Sequence, residues 1–255
     1  MATGGPGPEL QAALAQLVAA PTLLVASDFD GTLAPIVTNS WEAAAAPRAM
    51  ASLAALAEAE GTHVALVTGR SVADLRALGP LPPKAYVIGS HGAEWSDGSS
   101  PSLSAQQALA LQQAQAIAED VVAAAPGAVL ERKPAGFAVH VRPMADRALA
   151  ALVLDRVAAA LDPVDGLVLM SGKQVVEASV VRTSKGLAIT RLRDELVADA
   201  VFFAGDDVTD EAGFAALGPG DVGVKVGAGP TAAGHCVADT PTLADVLRWL
   251  ADHRA

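Results

Sequence analysis

Two aspartates near the start of the chain have a spacing that suits a divalent cation. Asp28 and Asp30 follow an apolar run at 22–27, and side chains two residues apart on an extended chain point the same way. Two carboxylates held that close repel each other unless a cation neutralises them or one is protonated. Oxygen ligands favour a hard cation such as Mg²⁺. Taken alone, an Asp-Gly turn beside a capping aspartate explains the pair equally well.

A second acidic cluster, GDDVTDE at 205–211, follows another apolar run. Negative charge is favoured at a helix N-terminus, which accounts for the last two acids of the cluster. It does not account for Asp206 and Asp207, which stand at the end of a predicted strand. We therefore predict that Asp28 and Asp206 form a magnesium site together with waters and a phosphate oxygen.

Two further segments suit the binding of a phosphoryl group. Residues 68–71, Thr-Gly-Arg-Ser, lie between a predicted strand and a helix, where a hydroxyl and free amides can hold a phosphate. Lys185 lies at the start of another predicted helix, where a cation opposes the helix dipole. It could instead neutralise a transferring phosphoryl group. The alternatives are a capped turn for the first segment and a solvated surface lysine for the second.

The elements around these residues predict an α/β fold with a Rossmann-like parallel sheet. Apolar runs typical of buried strands lie at 22–27, 63–67, 86–88, 201–204 and 222–226. They alternate with helix-like stretches at 47–60, 71–78, 184–197 and 209–217. Such alternation favours a parallel sheet covered on both faces, with ligands at the carboxyl ends of its strands. We expect residues 1–20 to form a tail and a short helix.

The segment at 97–179 interrupts this alternation and predicts a separate inserted domain. Its expected elements are a helix at 104–124, strands at 128–133 and 136–142, a helix at 145–160, and a hairpin of 167–170 with 174–179. These elements favour an antiparallel sheet with its own helices. The predicted core domain then consists of 21–96 and 180–255.

Composition excludes several classes of function. The chain of 255 residues has a net charge of −11 and 4% aromatic residues, which argues against nucleic acid and anionic membranes as partners. No apolar run approaches the roughly 20 residues that span a bilayer. Cys236 is the one cysteine, and the first basic residue is Arg48. We therefore expect no disulfide and no signal peptide, and a monomeric cytoplasmic protein.

The order of the four segments resembles the haloacid dehalogenase superfamily, and finer strings are similar to trehalose-6-phosphate phosphatases. The strings are DFDGTLAPI at 28–36, TGR at 68–70, GSHGAE at 89–94, ERKPAGFAVHVR at 131–142, SGKQVVEASVVRTSKG at 171–186 and GDDVTDE at 205–211. GDDVTDE is the most discriminating of them. The resemblance spans about 22–245 and implies an α/β core with an inserted α/β cap domain of the C2 type.

The resemblance implies a magnesium-dependent phosphatase that forms an aspartyl-phosphate. Asp28 would be the nucleophile and Asp30 the general acid and base. Mg²⁺ would be held by Asp28, the main-chain carbonyl of Asp30, and Asp206, with Asp207 and Asp210 supporting those ligands. Thr68, Gly69 and Lys185 would bind the phosphoryl oxygens, whereas Arg70 would bind phosphate or brace its turn.

The resemblance places sugar recognition on the inserted domain. The residues implied are Glu131, Lys133, His140, Arg142, Lys173 and Glu177. Glu131 and Lys133 share one face of a predicted strand, as do His140 and Arg142, and Lys173 stands at a hairpin tip. The alternative is a solvated sheet face with ion pairs. The substrate would be a small sugar phosphate, with trehalose 6-phosphate preferred.

Rival functions stay open from the sequence. The nearest is the same chemistry on another sugar phosphate, of the sucrose or mannosyl phosphate type. A phosphotransferase or mutase would need the aspartyl-phosphate shielded from water, and Asp30 as a base argues against that. A phospho-acceptor receiver domain would lack the inserted segment at 97–179. An inactive binding protein would not need every one of these side chains.

Overall fold

The structure is a computed structural model that describes residues 6–99, 102–172 and 174–254. The chain divides into two compact units, Met1–Gly98 with Thr183–Ala255, and Ser99–Arg182. We call these the core unit and the inserted unit. No helix among the described residues is long and apolar enough to cross a membrane.

The two units contain the following elements. The strands are β1 Leu23–Ser27, β2 Thr62–Val67, β3 Tyr86–Gly89, β4 Glu94–Trp95, β5 Val129–Lys133, β6 Gly136–His140, β7 Val168–Gly172, β8 Val175–Ser179, β9 Ala200–Gly205, β10 Val222–Val226 and β11 His235–Val237. The helices are α1 Pro8–Leu17, α2 Pro47–Glu58, α3 Val72–Ala77, α4 Ala105–Ala123, α5 Arg147–Leu161, α6 Lys185–Leu196, α7 Glu211–Ala215 and α8 Thr240–Arg254.

The core unit is built on a sheet with the strand order β11-β10-β9-β1-β2-β3-β4. Neighbouring strands pair in parallel except β3 with β4. β1 is buried on both faces because its side chains alternate: Leu23 and Val25 pack in one apolar cluster, and Leu24 and Ala26 pack in another. Helices α1, α2 and α8 contribute to the first cluster and α6 to the second.

The inserted unit has an antiparallel sheet in the order β5-β6-β8-β7. Phe137, Val139 and Val176 are buried from this sheet in one cluster with side chains of α4 and α5. The residues that alternate with them point to the other face. A parallel-sheet core and a separate antiparallel sheet confirm the predicted α/β fold class.

Three details differ from the sequence-based expectation. Helix α8 was not predicted, although Leu243, Leu247 and Leu250 lie at helical spacing and are fully buried. The short strands β4 and β11 were also missed. The strand expected at 136–142 ends at His140 instead. Arg142 therefore lies in an exposed turn rather than on the strand face, because Pro143 has no amide hydrogen to continue the ladder.

Candidate active site

Segments that are distant in the sequence meet at the carboxyl end of the core sheet. Asp28 follows β1, and its amide donates to the carbonyl of Ala204 on β9 at 2.9 Å. Thr68 follows β2 and is buried. Lys185 is the first residue of α6, whose start is capped by the Ser184 hydroxyl. Parallel strands with aligned ends bring these residues to one edge, as the sequence predicts.

A buried ion-pair network forms the centre of the site. Lys185 Nζ lies 2.8 Å from Asp28 Oδ1 and 2.7 Å from Asp210 Oδ1. The side chains of Lys185, Asp28 and Asp210 are 2%, 6% and 0% exposed. Lys185 is therefore not a solvated surface lysine, because one ammonium joins the expected nucleophile to an internal carboxylate.

Asp206 is fixed beside this network by its own loop. The amides of Asp206 and Asp207 donate to Asp210 Oδ2 at 3.0 and 2.9 Å. The Asp206 carboxylate lies directly over Gly31, where an added Cβ would fall 2.0 Å from Asp206 Oδ2. Gly31 also has a φ of +81°, so glycine is needed there for both the turn and the close approach.

Crowding of acidic groups perturbs the protonation of the site. Burial is the main cause that raises the pKa of Asp28 to about 7, and the charge of Asp210 adds to it against the lowering effect of Lys185. Burial followed by the charges of Asp210 and Asp207 raises the pKa of Asp206 to about 6. Burial alone would lower the pKa of Lys185, but the attraction of Asp28 and Asp210 outweighs it and raises that pKa.

The donor set fits a hard divalent cation. Asp28, Asp206 and Asp210 each offer a carboxylate oxygen within 4.8 Å of the others, and carboxylate oxygens are the ligands such cations prefer. Both oxygens of Asp210 already accept hydrogen bonds, from Lys185 and from the amides of Asp206 and Asp207. Asp28 and Asp206 are therefore the side chains with capacity for a cation, and Asp210 supports them.

Asp30 is held by an arginine in this structure. Arg70 Nε and Nη2 donate to the two oxygens of Asp30 at 2.5 and 2.6 Å, and Nη2 also donates to the carbonyl of Ser40 at 2.8 Å. The Asp30 side chain is 33% exposed, so it can still be reached from solvent. The sequence left open whether Arg70 binds phosphate or braces its turn. In the structure, the partner of Arg70 is Asp30.

The turn of Thr68, Gly69 and Arg70 is braced by the loop after β3. The Arg70 amide donates to Thr68 Oγ1 at 3.1 Å, and the amide of His91 donates to the Thr68 carbonyl at 3.0 Å. Ser90 and His91 both have positive φ, 51° and 54°, a strained conformation for such residues. The His91 ring lies so close to Gly69 that a Cβ there would fall 2.6 Å from Cε1.

Two further charged residues lie in or beside the acidic loop. Asp207 is exposed, and its side chain caps the turn that follows through the amide of Val208 at 2.7 Å. Lys225, in contrast, was not singled out from sequence although it is buried and donates to the carbonyl of Asp206 at 2.7 Å. The available signal was a charge inside the apolar strand β10.

The inserted unit has its own polar sheet face. Glu131 lies opposite Ala138, which in turn lies opposite Glu177, so these residues share one face. His140 Nε2 lies 2.7 Å from Glu131 Oε2. Lys133 Nζ lies 3.1 Å from Glu177 Oε2. Four of the predicted sugar contacts are thus brought together.

One carboxyl group on this face has a shifted pKa. The hydrogen bond from His140 is the largest cause that lowers the pKa of Glu131. Arg142 stands apart in its exposed turn. Lys173 lies outside the described residues.

Comparison with known structures finds the same fold in other solved proteins. A structure described as a haloacid dehalogenase-like hydrolase from Bacteroides thetaiotaomicron superimposes with a TM-score of 0.63 at 15% identity, covering 90% of this chain and 99% of that chain. A crystal structure of a trehalose-6-phosphate phosphatase related protein gives a TM-score of 0.69 at 29% identity, covering 90% and 97%.

The chain belongs to the trehalose-phosphatase family, whose sequence model matches residues 26–241. It is 35% identical to the trehalose-6-phosphate phosphatase of Escherichia coli (strain K12) over 88% of this chain and 83% of that protein. It is also 35% identical to the bifunctional trehalose-6-phosphate synthase/phosphatase of Thermoproteus tenax, over 89% of this chain but only 32% of that protein. The chain likewise spans only 54% of the trehalose-phosphate phosphatase of Mycobacterium ulcerans.

Proposed function

We propose that the chain hydrolyses trehalose 6-phosphate to trehalose and phosphate through an aspartyl-phosphate at Asp28. The observation that carries the proposal is the cluster of buried Asp28 and Lys185 with partly buried Asp206 in a member of the trehalose-phosphatase family. An attacking carboxylate, an ammonium and a second carboxylate at one sheet edge are the parts that phosphoryl transfer requires.

In the first step, an Asp28 carboxylate oxygen attacks phosphorus in line with the sugar oxygen. The new bond joins Asp28 to phosphorus, and the bond between phosphorus and the sugar oxygen breaks. Asp30 in its acid form gives a proton to that oxygen, which leaves as the trehalose hydroxyl. This transfer requires the Asp30 carboxyl to separate at least in part from Arg70, which holds both of its oxygens.

In the second step, water replaces Asp28 on phosphorus. Asp30, now ionised, takes a proton from the attacking water, and the bond between phosphorus and Asp28 breaks. Phosphate leaves and the Asp28 carboxylate is restored. A single carboxyl that acts first as acid and then as base satisfies microscopic reversibility.

The remaining side chains hold charge in place. The Thr68 hydroxyl, the Gly69 amide and the Lys185 ammonium would bind phosphoryl oxygens. Mg²⁺ would be held by Asp28, the Asp30 carbonyl and Asp206, and when bound it screens the negative charge of the phosphoryl group. Asp210 holds the loop and Lys185, and Asp207 caps the turn beside it.

Sugar recognition is assigned to the inserted unit. The residues proposed are Glu131, Lys133, His140, Arg142, Lys173 and Glu177. The support is the clustering of four of them on one sheet face, where carboxylates and cations can bind sugar hydroxyls. The domain assignment is also a proposal: a tail and short helix at 1–20, a core of 21–96 with 180–255, and a cap at 97–179. We further propose a monomer in the cytoplasm.

Phosphate release from trehalose 6-phosphate tests the function. We expect release that EDTA abolishes and added Mg²⁺ restores. Sucrose phosphate and a mannosyl phosphate serve as competing substrates in the same assay. Preference for one of them would change the proposed substrate but not the proposed reaction. No phosphate release from any sugar phosphate with Mg²⁺ present would contradict both the substrate and the reaction.

A further inference from the structure

A lysine stands inside an apolar strand of the core unit. All five residues of β10 are buried, and the Lys225 side chain on this strand is 7% exposed. Its register partner on β9 is Gly205, the residue before Asp206. An ammonium group withdrawn from water is costly unless it makes strong compensating contacts. The contacts of Lys225 therefore indicate what its charge does.

Those contacts all concern the acidic loop. Lys225 Nζ donates to the main-chain carbonyl of Asp206 at 2.7 Å and lies 3.9 Å from Glu211 Oε1. The other oxygen of Glu211 accepts from the amide of Ala232 at 2.7 Å. The ammonium thus makes a hydrogen bond to the loop at Asp206 and faces the Glu211 carboxylate at the start of α7 at ion-pair distance, without a hydrogen bond between them.

With Lys225 in place, the main chain of Asp206 is held on both sides. Its amide donates to Asp210 and its carbonyl accepts from Lys225. The carboxylate of Asp206 rests over Gly31. The carboxylate itself also accepts from the Thr32 hydroxyl at 3.4 Å, and the two main-chain contacts set the position from which the side chain extends.

We propose that Lys225 is a positioning residue for the cation ligand Asp206. It fixes the main chain of the loop so that the carboxylate points toward Asp28 before a cation binds. The inference rests on the proposed function in taking Asp206 as a ligand of the cation. Residues that orient metal ligands commonly contribute about 10- to 100-fold to metal affinity.

Simple electrostatics predicts the opposite effect. A lysine near a cation site repels the cation, so removal of its charge should strengthen Mg²⁺ binding. If Lys225 positions Asp206, removal should weaken binding in spite of that relief. The sign of the change in Mg²⁺ affinity therefore separates the two roles.

The first test is calorimetric titration of MgCl₂ alone into wild type and Lys225→Met, without substrate. Methionine keeps much of the length of the side chain and removes both the charge and the donor. We expect the dissociation constant for Mg²⁺ to rise about 10- to 100-fold. An unchanged or smaller dissociation constant would overturn the proposal. Lys84→Met is the matched control, because Lys84 is exposed and pairs with Glu58.

A second measurement separates positioning from a general structural role. In a titration of phosphate release with Mg²⁺, the half-saturating concentration should rise in Lys225→Met by the same factor. At saturating Mg²⁺, kcat and KM should return to within about twofold of wild type. A loss of kcat that Mg²⁺ does not restore would overturn the proposal.

Two features keep this test decisive. If Lys225→Met does not fold, Lys225→Leu replaces it, because leucine suits a buried strand and has neither the charge nor the donor; a wild-type dissociation constant for Mg²⁺ in that variant would overturn the proposal. If wild type releases no phosphate from trehalose 6-phosphate, the proposed function fails, while the calorimetric comparison still decides the role of Lys225.

Discussion

The core unit and the inserted unit both carry charged side chains on their sheets, but they balance those charges differently. In the core unit the carboxylates of Asp28, Asp206 and Asp210 crowd together, and the Lys185 ammonium bonds to two of them. Burial and mutual repulsion raise the pKa of Asp28 and of Asp206. Negative charge exceeds positive charge in a place with little access to water.

On the polar face of the inserted unit, each carboxylate pairs with the nitrogen of a neighbouring side chain, and we call this surface the matched face. Glu131 has His140 as its partner, and Lys133 has Glu177. The pKa of Glu131 is lowered, chiefly by its hydrogen bond to His140. These groups, apart from Lys133, are also more exposed than Asp28, Asp210 and Lys185.

This difference in charge balance indicates whether a ligand of each unit would need to be charged. An unmatched buried carboxylate cluster is relieved by a cation, so it suits a metal and a reacting phosphoryl group. A matched face has no such need, so it suits neutral hydroxyls that exchange hydrogen bonds with it. The predictions below test this contrast, beginning with the largest effect.

Replacement of Asp28, the proposed nucleophile, should separate activity from stability. Asp28→Asn removes the attacking oxygen, so we expect phosphate release to fall by at least about 10⁴-fold. It also removes one carboxylate from the crowded cluster, so the Tm of the metal-free protein should stay the same or rise. Phosphate release and thermal unfolding measure the two quantities. Asp252→Asn, at an exposed position, is the control, and near-normal turnover in Asp28→Asn would rule out the nucleophile.

Changes on the matched face should affect the sugar and spare the chemistry. Glu131→Ala and Lys133→Ala each remove a charged hydrogen-bonding group, which corresponds to about a 10- to 100-fold loss. We expect that loss in kcat/KM for trehalose 6-phosphate but not for a small aryl phosphate. Glu119→Ala, on the exposed surface of α4, is a control within the same unit. Equal losses on both substrates would refute recognition by this face.

The smallest effect concerns pH and the unmatched cluster. Because folding raises the pKa of Asp28 from 3.8 to about 7, the folded metal-free protein binds this proton more tightly than the unfolded chain. Its contribution to stability therefore falls as pH rises through that range. Mg²⁺ competes with the proton, so its affinity should be weaker at pH 6 than at pH 8, on the order of tenfold.

Thermal unfolding with and without Mg²⁺ checks this expectation. The increase in Tm on adding Mg²⁺ should be larger at pH 8 than at pH 6. Asp206→Asn should lose most of that increase at both pH values, whereas Asp252→Asn should behave as wild type. An increase that is the same at both pH values would show that no proton competes for the site.

Much of the fold and of the candidate site could be predicted because its signals are local. The strand predicted at 222–226 is observed as β10, since a buried strand needs only a continuous apolar run bounded by turn residues. The helix predicted at 47–60 is observed as α2, beginning at the proline expected to start it. Helix α8 was not predicted, although its buried residues Leu243, Leu247 and Leu250 stand at helical spacing.

Details of the site were harder to predict from sequence because they depend on distances between several side chains of the same chemical type. The acidic loop offers several carboxylates, and sequence alone placed Asp207 and Asp210 together in a supporting role. The structure distinguishes them, since Asp210 is buried and bonds to Lys185 while Asp207 is exposed. The position of Arg142 was misjudged although a local signal was present, since Pro143 directly after it has no amide hydrogen to continue a strand.

The sequence was sufficient to predict that two acidic clusters and a Thr-Gly-Arg turn stand at the ends of parallel strands, because apolar runs define strands and parallel strands end at one edge. The partners of these and the nearby basic residues became known from the three-dimensional contacts: Lys185 with Asp28, Arg70 with Asp30, and Lys225 with the carbonyl of Asp206. Pairing among several equivalent charges depends on contacts of a few ångströms between segments far apart in the chain, and no local pattern records those distances.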